Sequence, residues 1–77
     1  MYKEGFPSKL KHAREQWSFT QKYVEAELGI KQSVLSNYEA GRREPDIETL
    51  GKLADLYGVS LDWLFSTKGD DANRPRA

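Results

Sequence analysis

Hydrogen-bonding side chains are grouped in one short segment, GIKQSVLSNYEAG, which covers residues 29–41. Gln32, Ser33 and Asn37 carry amide and hydroxyl groups there, whereas a helix that only had to fold is expected to show Lys, Glu and Ala outward. Amides and hydroxyls can both donate and accept hydrogen bonds. The segment is therefore either an ordinary amphipathic helix or a helix whose polar face recognises another molecule.

Catalytic and metal chemistry find little support in the sequence. The chain has no cysteine, and His12 is its only histidine, so thiolate and histidine metal sites have no ligands to combine. There is no nucleophile pattern beside His12, no glycine-rich phosphate loop and no carboxylate pair in an evident cleft. We therefore expect no enzyme activity, no metal and no cofactor.

Targeting signals are also missing from the sequence. No apolar run is long enough to span a membrane, and the N-terminal MYKEGFPSKL lacks the apolar segment of a secretory signal. The lack of cysteine is compatible with a reducing compartment. These features favour a cytoplasmic protein.

The charged residues are distributed unevenly along a chain of zero net charge. Residues 1–43 hold eight Lys/Arg against five Asp/Glu, and residues 44–77 hold four against seven. Such an asymmetry can hide a basic face behind a neutral total, so a nucleic-acid partner is not excluded.

The spacing of apolar residues predicts five short helices in a single domain. Pro7 suits the start of the first helix, Thr20 and Asp46 suit N-caps, and Gly29 suits a left-handed helix end. The predicted helices cover about 7–17, 21–28, 32–39, 47–57 and 61–65. We expect residues 1–65 to form one all-α domain. Residues 66–77, STKGDDANRPRA, have no periodicity and are expected to be a disordered tail or linker.

The apolar residues of these helices predict the core. The expected core residues are Leu10, Ala13, Phe19, Val24, Leu28, Ile30, Leu35, Ile47, Leu50, Leu53, Ala54, Val59 and Leu64, with the rings of Tyr38, Tyr57 and Trp63. Helices 2 and 3 are joined by only about three residues, one of them glycine. Two short helices with such a tight turn form a helix-turn-helix arrangement.

A longer set of residues, spread over roughly 8–65, keeps a distinctive order and spacing. It consists of Leu10, Arg14, Phe19-Thr20-Gln21, Leu28-Gly29-Ile30, Gln32-Ser33, Leu35-Ser36-Asn37-Tyr38-Glu39, Gly41, Pro45, Leu50, Leu53-Ala54, Tyr57-Gly58-Val59-Ser60 and Trp63-Leu64. The set resembles the helix-turn-helix family of phage lambda repressor and Cro, which includes bacterial regulators of the Xre kind. Its single elements are weak signals, and their combination is highly specific.

The resemblance implies a compact five-helix domain that binds double-stranded DNA with helix 3 in the major groove. Members of the family usually bind as symmetric dimers, with half-sites about one helical turn apart. The implied function is a sequence-specific transcriptional regulator, favoured here as a repressor that binds a palindromic operator as a homodimer.

The resemblance also assigns residues to the DNA. Gln32 occupies the first turn of helix 3, and its amide matches the donor and acceptor of adenine N6 and N7. Ser33 and Asn37 can face the same groove, and Val34 could contact a thymine methyl group. Phosphate contacts are expected from Gln21, Thr20, Lys22, Lys31, Ser36, Arg42 and Arg43. The plain alternative is a solvated polar face, with Arg42 and Arg43 pairing with Glu44.

Two further residues of the family pattern have a structural role. The resemblance implies that Arg14 and Glu39 form a partly buried ion pair that ties the reading helix to the scaffold. The resemblance also implies that Gln21 braces the first residue of helix 3, which is Gln32 in this chain.

The sequence departs from the family pattern at three positions. Glu25 stands where the family prefers a small residue, so its side chain must reach outward or shift helix 2. Lys31 replaces the usual Ser or Thr cap of helix 3, which loses a bond worth about 1 kcal/mol. Ser18 stands where Gly or Asn is common.

Other functions of the same fold remain open from the sequence. The protein could be an antitoxin or developmental regulator whose main partner is a protein antagonist, or a restriction–modification controller. Leu61 and Phe65 could form either that protein contact or the dimer surface, and they could also simply cover the core.

Overall fold

The computed structural model describes residues 5–65, which form five α-helices joined by short connections. The expected all-α, five-helix fold is confirmed for this part of the chain. Helix 1 begins and ends one residue earlier than predicted, and the expected tail at 66–77 lies outside the described residues. The helices are α1 (Phe6–Gln16), α2 (Gln21–Leu28), α3 (Gln32–Ala40), α4 (Ile47–Tyr57) and α5 (Leu61–Phe65).

Side-chain caps fix the starts of α2 and α4 as the sequence predicts. Thr20 Oγ1 accepts a hydrogen bond of 3.0 Å from the Tyr23 amide. Asp46 Oδ1 accepts one of 3.0 Å from the Thr49 amide, and this bond lowers the pKa of the Asp46 carboxyl. Each bond satisfies an amide that has no partner within its own helix.

Two glycines in left-handed conformations bracket α3. Gly29 has φ 75° at the end of α2, and Gly41 has φ 78° at the end of α3. A Cβ atom on Gly41 would also lie 3.3 Å from Cγ of Pro7. Glycine adopts this conformation without a steric penalty, so both helices can end abruptly and leave α3 short.

The core contains most of the predicted residues, but Ile47 is absent from it and Phe6 is added to it. Ile47 was predicted in the core, but it is 65% exposed. A helical Cα–Cβ bond tilts toward the helix start, so the side chain of this first residue points beyond the start of α4. Leu50 is the first residue of α4 that is buried in the core. Phe6 was missed because α1 begins one residue early. The buried apolar residues are Phe6, Leu10, Ala13, Val24, Leu35, Tyr38, Leu50, Leu53, Ala54, Tyr57, Trp63 and Leu64.

Four residues predicted in the core lie at its margin instead. Phe19, Leu28, Ile30 and Val59 are partly buried and pack against the central cluster. Phe19, Ile30 and Val59 belong to connections and Leu28 is the last residue of α2, so all four cover the small core from its edge.

The helix that carries the polar segment, α3, packs against two other helices. α3 packs against both α1 and α2, and α1 packs against α5. Two side-chain hydrogen bonds join α1 to the last two helices. Trp17 Nε1, just after α1, donates to the Tyr57 carbonyl of α4 at 2.7 Å, and Lys9 Nζ donates to the Trp63 carbonyl of α5 at 3.0 Å. Within the described residues, no helix has the length and apolar character needed to cross a membrane.

Tyr57 provides a test of the core. Its hydroxyl is buried without a hydrogen-bond partner in the described structure, and burial raises the pKa of this phenol above its ordinary value. An unsatisfied buried polar group costs about 1–3 kcal/mol. We expect Tyr57→Phe to keep or increase the free energy of unfolding, measured by urea denaturation. A loss of more than about 1 kcal/mol, the typical net value of one hydrogen bond, would contradict this and reveal a partner for the hydroxyl.

Candidate nucleic-acid interface

The polar segment of the sequence forms α3, which follows α2 after a connection of three residues. Gly29 closes α2, with its amide bonded to the Glu25 carbonyl at 2.8 Å. Ile30 of the connection packs against the core. The short connection forces the chain to change direction within a single turn, so the start of α3 lies beside α2 and points to the surface.

The two sides of α3 differ in burial. Leu35 and Tyr38 are buried, Gln32 and Ser33 are exposed, and Asn37 is half-buried. At about 3.6 residues per turn, Ser36 lies between Gln32 and Ser33 on the helix surface, with Asn37 beside Ser33. The outward side of α3 therefore presents two amides and two hydroxyls, which act as both donors and acceptors.

Val34 does not belong to this outward side. It was predicted to contact a base, but it is half-buried and packs against the hydrophobic core. Val34 is two residues from Gln32, and two residues correspond to about 200° around a helix. Its side chain therefore lies on the flank of α3, away from Gln32.

An ion pair between α1 and α3 fixes the position of α3. Arg14 Nε donates to Glu39 Oε2 at 2.7 Å, and Nη2 donates to Oε1 at 3.0 Å. Both side chains are nearly buried, with 10% of Arg14 and 4% of Glu39 exposed. The third guanidinium nitrogen of Arg14, Nη1, donates to the Phe19 carbonyl at 2.6 Å. This two-point pairing keeps the planes of both groups in register, and the Glu39 hydrogen bond raises the pKa of Arg14.

Gln21 extends this pairing to the outward side of α3. Its Nε2 donates to Glu39 Oε1 at 3.1 Å, and its Oε1 accepts from Gln32 Nε2 at 3.5 Å, the long limit for a hydrogen bond. The contact with Gln32 has the partners that the family resemblance implies. A chain of polar contacts thus runs from the buried Arg14 to the exposed amide of Gln32.

Glu25 contacts the backbone of Gln32. Lys31, the residue before α3, makes no side-chain cap bond. Glu25 Oε1 instead accepts from the backbone amide of Gln32 at 3.1 Å. The half-buried Glu25 side chain is turned toward the start of α3, and α2 keeps its predicted bounds.

The end of α3 contacts the loop that follows it. Arg42 Nη1 lies 3.4 Å from Asn37 Oδ1, and the Arg42 amide donates to the Asn37 carbonyl at 2.9 Å. Arg42 thus lies against the end of α3. Arg43 is exposed in the same loop.

The predicted phosphate-contacting residues of α2, α3 and the connection between them differ in exposure. Thr20, Lys22 and Lys31 are exposed, while Gln21 and Ser36 are half-buried. The hydroxyl of Thr20 accepts the cap bond from Tyr23, which leaves its hydrogen available for donation.

One cationic residue near this surface was missed from the sequence. An open cleft between α1, α2 and α3 is lined by Lys11, Arg14, Gln21, Ser36, Glu39 and Ala40. Lys11 was not among the predicted phosphate-contacting residues. Its position three residues before Arg14, on the same side of the helix, is the signal that could have identified it.

The predicted dimer residues differ in exposure. Leu61 is 36% exposed, but Phe65 is half-buried and its ring stacks on Phe6 at 5.9 Å between centroids. Among the residues described, Ile47 at 65% and Tyr23 at 41% are the other exposed large apolar side chains. Ile47 begins α4 and Leu61 begins α5, so the two exposed apolar side chains lie on different helices.

Comparisons with known proteins agree with this arrangement. A helix-turn-helix family model matches residues 10–64. The HTH-type transcriptional regulator ImmR of Bacillus subtilis is 48% identical over 57 residues, which cover 74% of this chain and 45% of the relative. The SPbeta prophage-derived uncharacterized HTH-type transcriptional regulator YonR of Bacillus subtilis is 39% identical over 60 residues, 78% of this chain and 56% of the relative.

A phage protein from another organism is also similar. The cryptic phage CTXphi transcriptional repressor RstR of Vibrio cholerae is 34% identical over 61 residues, which cover 79% of this chain and 55% of the relative. The chain spans about half the length of these curated relatives.

Proposed function

The chain belongs to the lambda-repressor-like helix-turn-helix family, and from that premise we propose that it binds specific sequences of double-stranded DNA and regulates transcription. The observation that carries the proposal is the exposed first turn of α3, where Gln32 is held by Gln21 and Glu25. A glutamine side chain that is positioned at a helix start can enter the major groove and distinguish bases. We assign this activity to the segment 1–65.

The proposal assigns base contacts to the outward side of α3. Gln32 would pair with an adenine through its amide, while Ser33 can donate to or accept from several bases. Asn37 would contact the groove further along, with its Oδ1 oriented by Arg42. Val34 is left out, because its packing against the core supports a structural role.

Phosphate contacts are proposed for the residues around α3. Gln21 and Thr20 lie at the start of α2, where free amides favour an anion. Lys22, Lys31, Arg42 and Arg43 add charge at exposed positions, and Ser36 lies in the cleft beside Gln21. Such contacts set affinity and orientation without reading sequence.

We further propose that the protein acts as a repressor and binds a palindromic operator as a homodimer. The similarity to the phage transcriptional repressor RstR supports the first part. Leu61, exposed at the start of α5, and Phe65, half-buried one turn further on, are proposed for the dimer surface. A repressor of this kind needs no catalytic group, because it acts by occupying a promoter.

Selection from randomised DNA tests the proposal. The protein is incubated with a pool of randomised duplexes at about 150 mM salt, because non-specific phosphate binding weakens steeply as salt rises. Bound duplexes are recovered and sequenced. We expect enrichment of a two-fold symmetric sequence. Recovery of unrelated sequences by a folded protein would refute sequence-specific binding.

Lys11 gives a separate prediction for the cleft. Lys11→Ala is expected to weaken binding of all duplexes by a similar factor and to reduce the salt slope of log K by about 1, as for any single phosphate contact. The matched control is Lys52→Ala, which removes an exposed lysine from α4. Fluorescence anisotropy titrations at several salt concentrations measure both. Equal salt slopes for Lys11→Ala and the wild type would show that Lys11 makes no phosphate contact.

A further inference from the structure

We propose that Glu25 is a positioning residue that fixes the first turn of the reading helix and thereby the base preference contributed by Gln32. Glu25 belongs to α2 and is seven residues from Gln32 along the chain. Its carboxylate accepts the Gln32 amide at 3.1 Å, so it acts directly on the residue that is proposed to read a base. The DNA part of this inference rests on the proposed function.

The contact replaces a cap that the helix otherwise lacks. The first amides of a helix have no partner within the helix, and a side chain before the helix usually supplies one. At α3 this position is Lys31, which supplies none. The Glu25 carboxylate is a suitable substitute, because its oxygens accept hydrogen bonds from backbone amides.

Glu25 also shares its task with Gln21. The two residues are four apart in α2, so they lie on the same side of that helix. Gln21 contacts the Gln32 side chain, and Glu25 contacts the Gln32 backbone. One side of α2 therefore holds a single residue of α3 at two points, which limits both the direction of the helix and the orientation of the amide.

Three variants separate the bond from the charge. Glu25→Ala removes the acceptor, and Glu25→Gln keeps an acceptor oxygen without the charge. Glu27→Ala is the matched control, since it removes an exposed carboxylate from the same helix. Urea denaturation of each variant identifies any that does not fold, and Glu25→Gln keeps the test decisive if Glu25→Ala is too unstable.

Amide hydrogen exchange measured by NMR tests the positioning without DNA. The exchange rate of the Gln32 amide is divided by that of the Leu50 amide, a bonded amide of α4, to correct for global stability. Loss of a typical cap corresponds to about a fivefold change, so we expect Glu25→Ala to raise this ratio about fivefold. Glu25→Gln and Glu27→Ala should stay near the wild type. An unchanged ratio in Glu25→Ala would overturn the inference.

Binding to single-substituted duplexes tests the effect on reading. The informative base pair is the one at which Gln32→Ala loses its preference. We expect Glu25→Ala to reduce the preference there by about fivefold, in line with a lost cap, and to leave the other positions unchanged. Glu25→Gln should restore it. A uniform loss at all positions would overturn the role in reading.

The two measurements keep the two hypotheses apart. If the wild type has no sequence preference, the proposed function fails and the base-preference half of the inference fails with it. The exchange ratio still decides whether Glu25 holds Gln32. If the wild type selects a sequence and Glu25→Ala keeps the full preference, the inference about Glu25 fails while the proposed function stands.

Discussion

Replacing Glu39 by alanine is expected to lower the free energy of unfolding by about 3–5 kcal/mol, because it leaves a nearly buried guanidinium unpaired. Arg14 loses the two bonds of 2.7 and 3.0 Å, and Gln21 loses its bond of 3.1 Å to the same carboxylate. For a domain of this size each kcal/mol corresponds to about 4–8 °C in melting temperature. Thermal and urea denaturation measure the loss.

Glu15→Ala is the matched control for this prediction. Glu15 also lies near Arg14, at 4.0 Å from Nη2, but 55% of its side chain is exposed. Solvent screens such a pair, so we expect a loss of less than about 1 kcal/mol. Comparable losses for Glu15→Ala and Glu39→Ala would show that burial of the Arg14–Glu39 pair does not control the stability of the domain.

Replacing Gln32 by alanine is expected to weaken binding to the selected operator by about 1–3 kcal/mol per base pair read, which is about 5- to 150-fold. The loss should be confined to specific DNA, and the preference at one base pair of each half-site should disappear. Binding to unrelated duplexes should change little, because the phosphate contacts remain. Anisotropy titrations with the operator and with a scrambled duplex measure both quantities.

Gln16→Ala is the control for the glutamine itself. Gln16 is an exposed glutamine at the end of α1, where its amide lies 3.1 Å from His12 Nε2. We expect this variant to bind the operator like the wild type. If Gln32→Ala lost the same affinity for the operator and for the scrambled duplex, Gln32 would contribute to general DNA affinity and not to sequence recognition.

Local signals account for the parts of the fold that the sequence predicts well. The cap of Thr20 depends on an amide three residues away, and the end of α2 depends on the conformation of Gly29 alone. Helical periodicity likewise identifies Leu50 and Leu53 as core. Such features are read within one or two turns of chain, so they do not require knowledge of the tertiary structure.

The features that the sequence did not predict depend on neighbours in space. Ile47 has the same apolar character as the core residues, and only the packing around α4 shows that it is exposed. Val34 is apolar as well, and only the structure shows that it packs against the core. Glu25 looked like a poor fit beside α3, yet it bonds to Gln32 across the turn. Lys11 reaches the cleft because α1 packs against α3, a contact between residues distant in the chain.

The most direct test of the central claim is to map the DNA surface by NMR. Amide signals of the labelled protein are followed during titration with the duplex that selection recovers. We predict the largest shifts at Gln32, Ser33 and Asn37, with smaller shifts at 20–22 and 42–43, and little change for Lys52 and its neighbours in α4. Large shifts in α4 and α5 with an unperturbed α3 would contradict the account, because the outward side of α3 would then not be the surface that meets DNA.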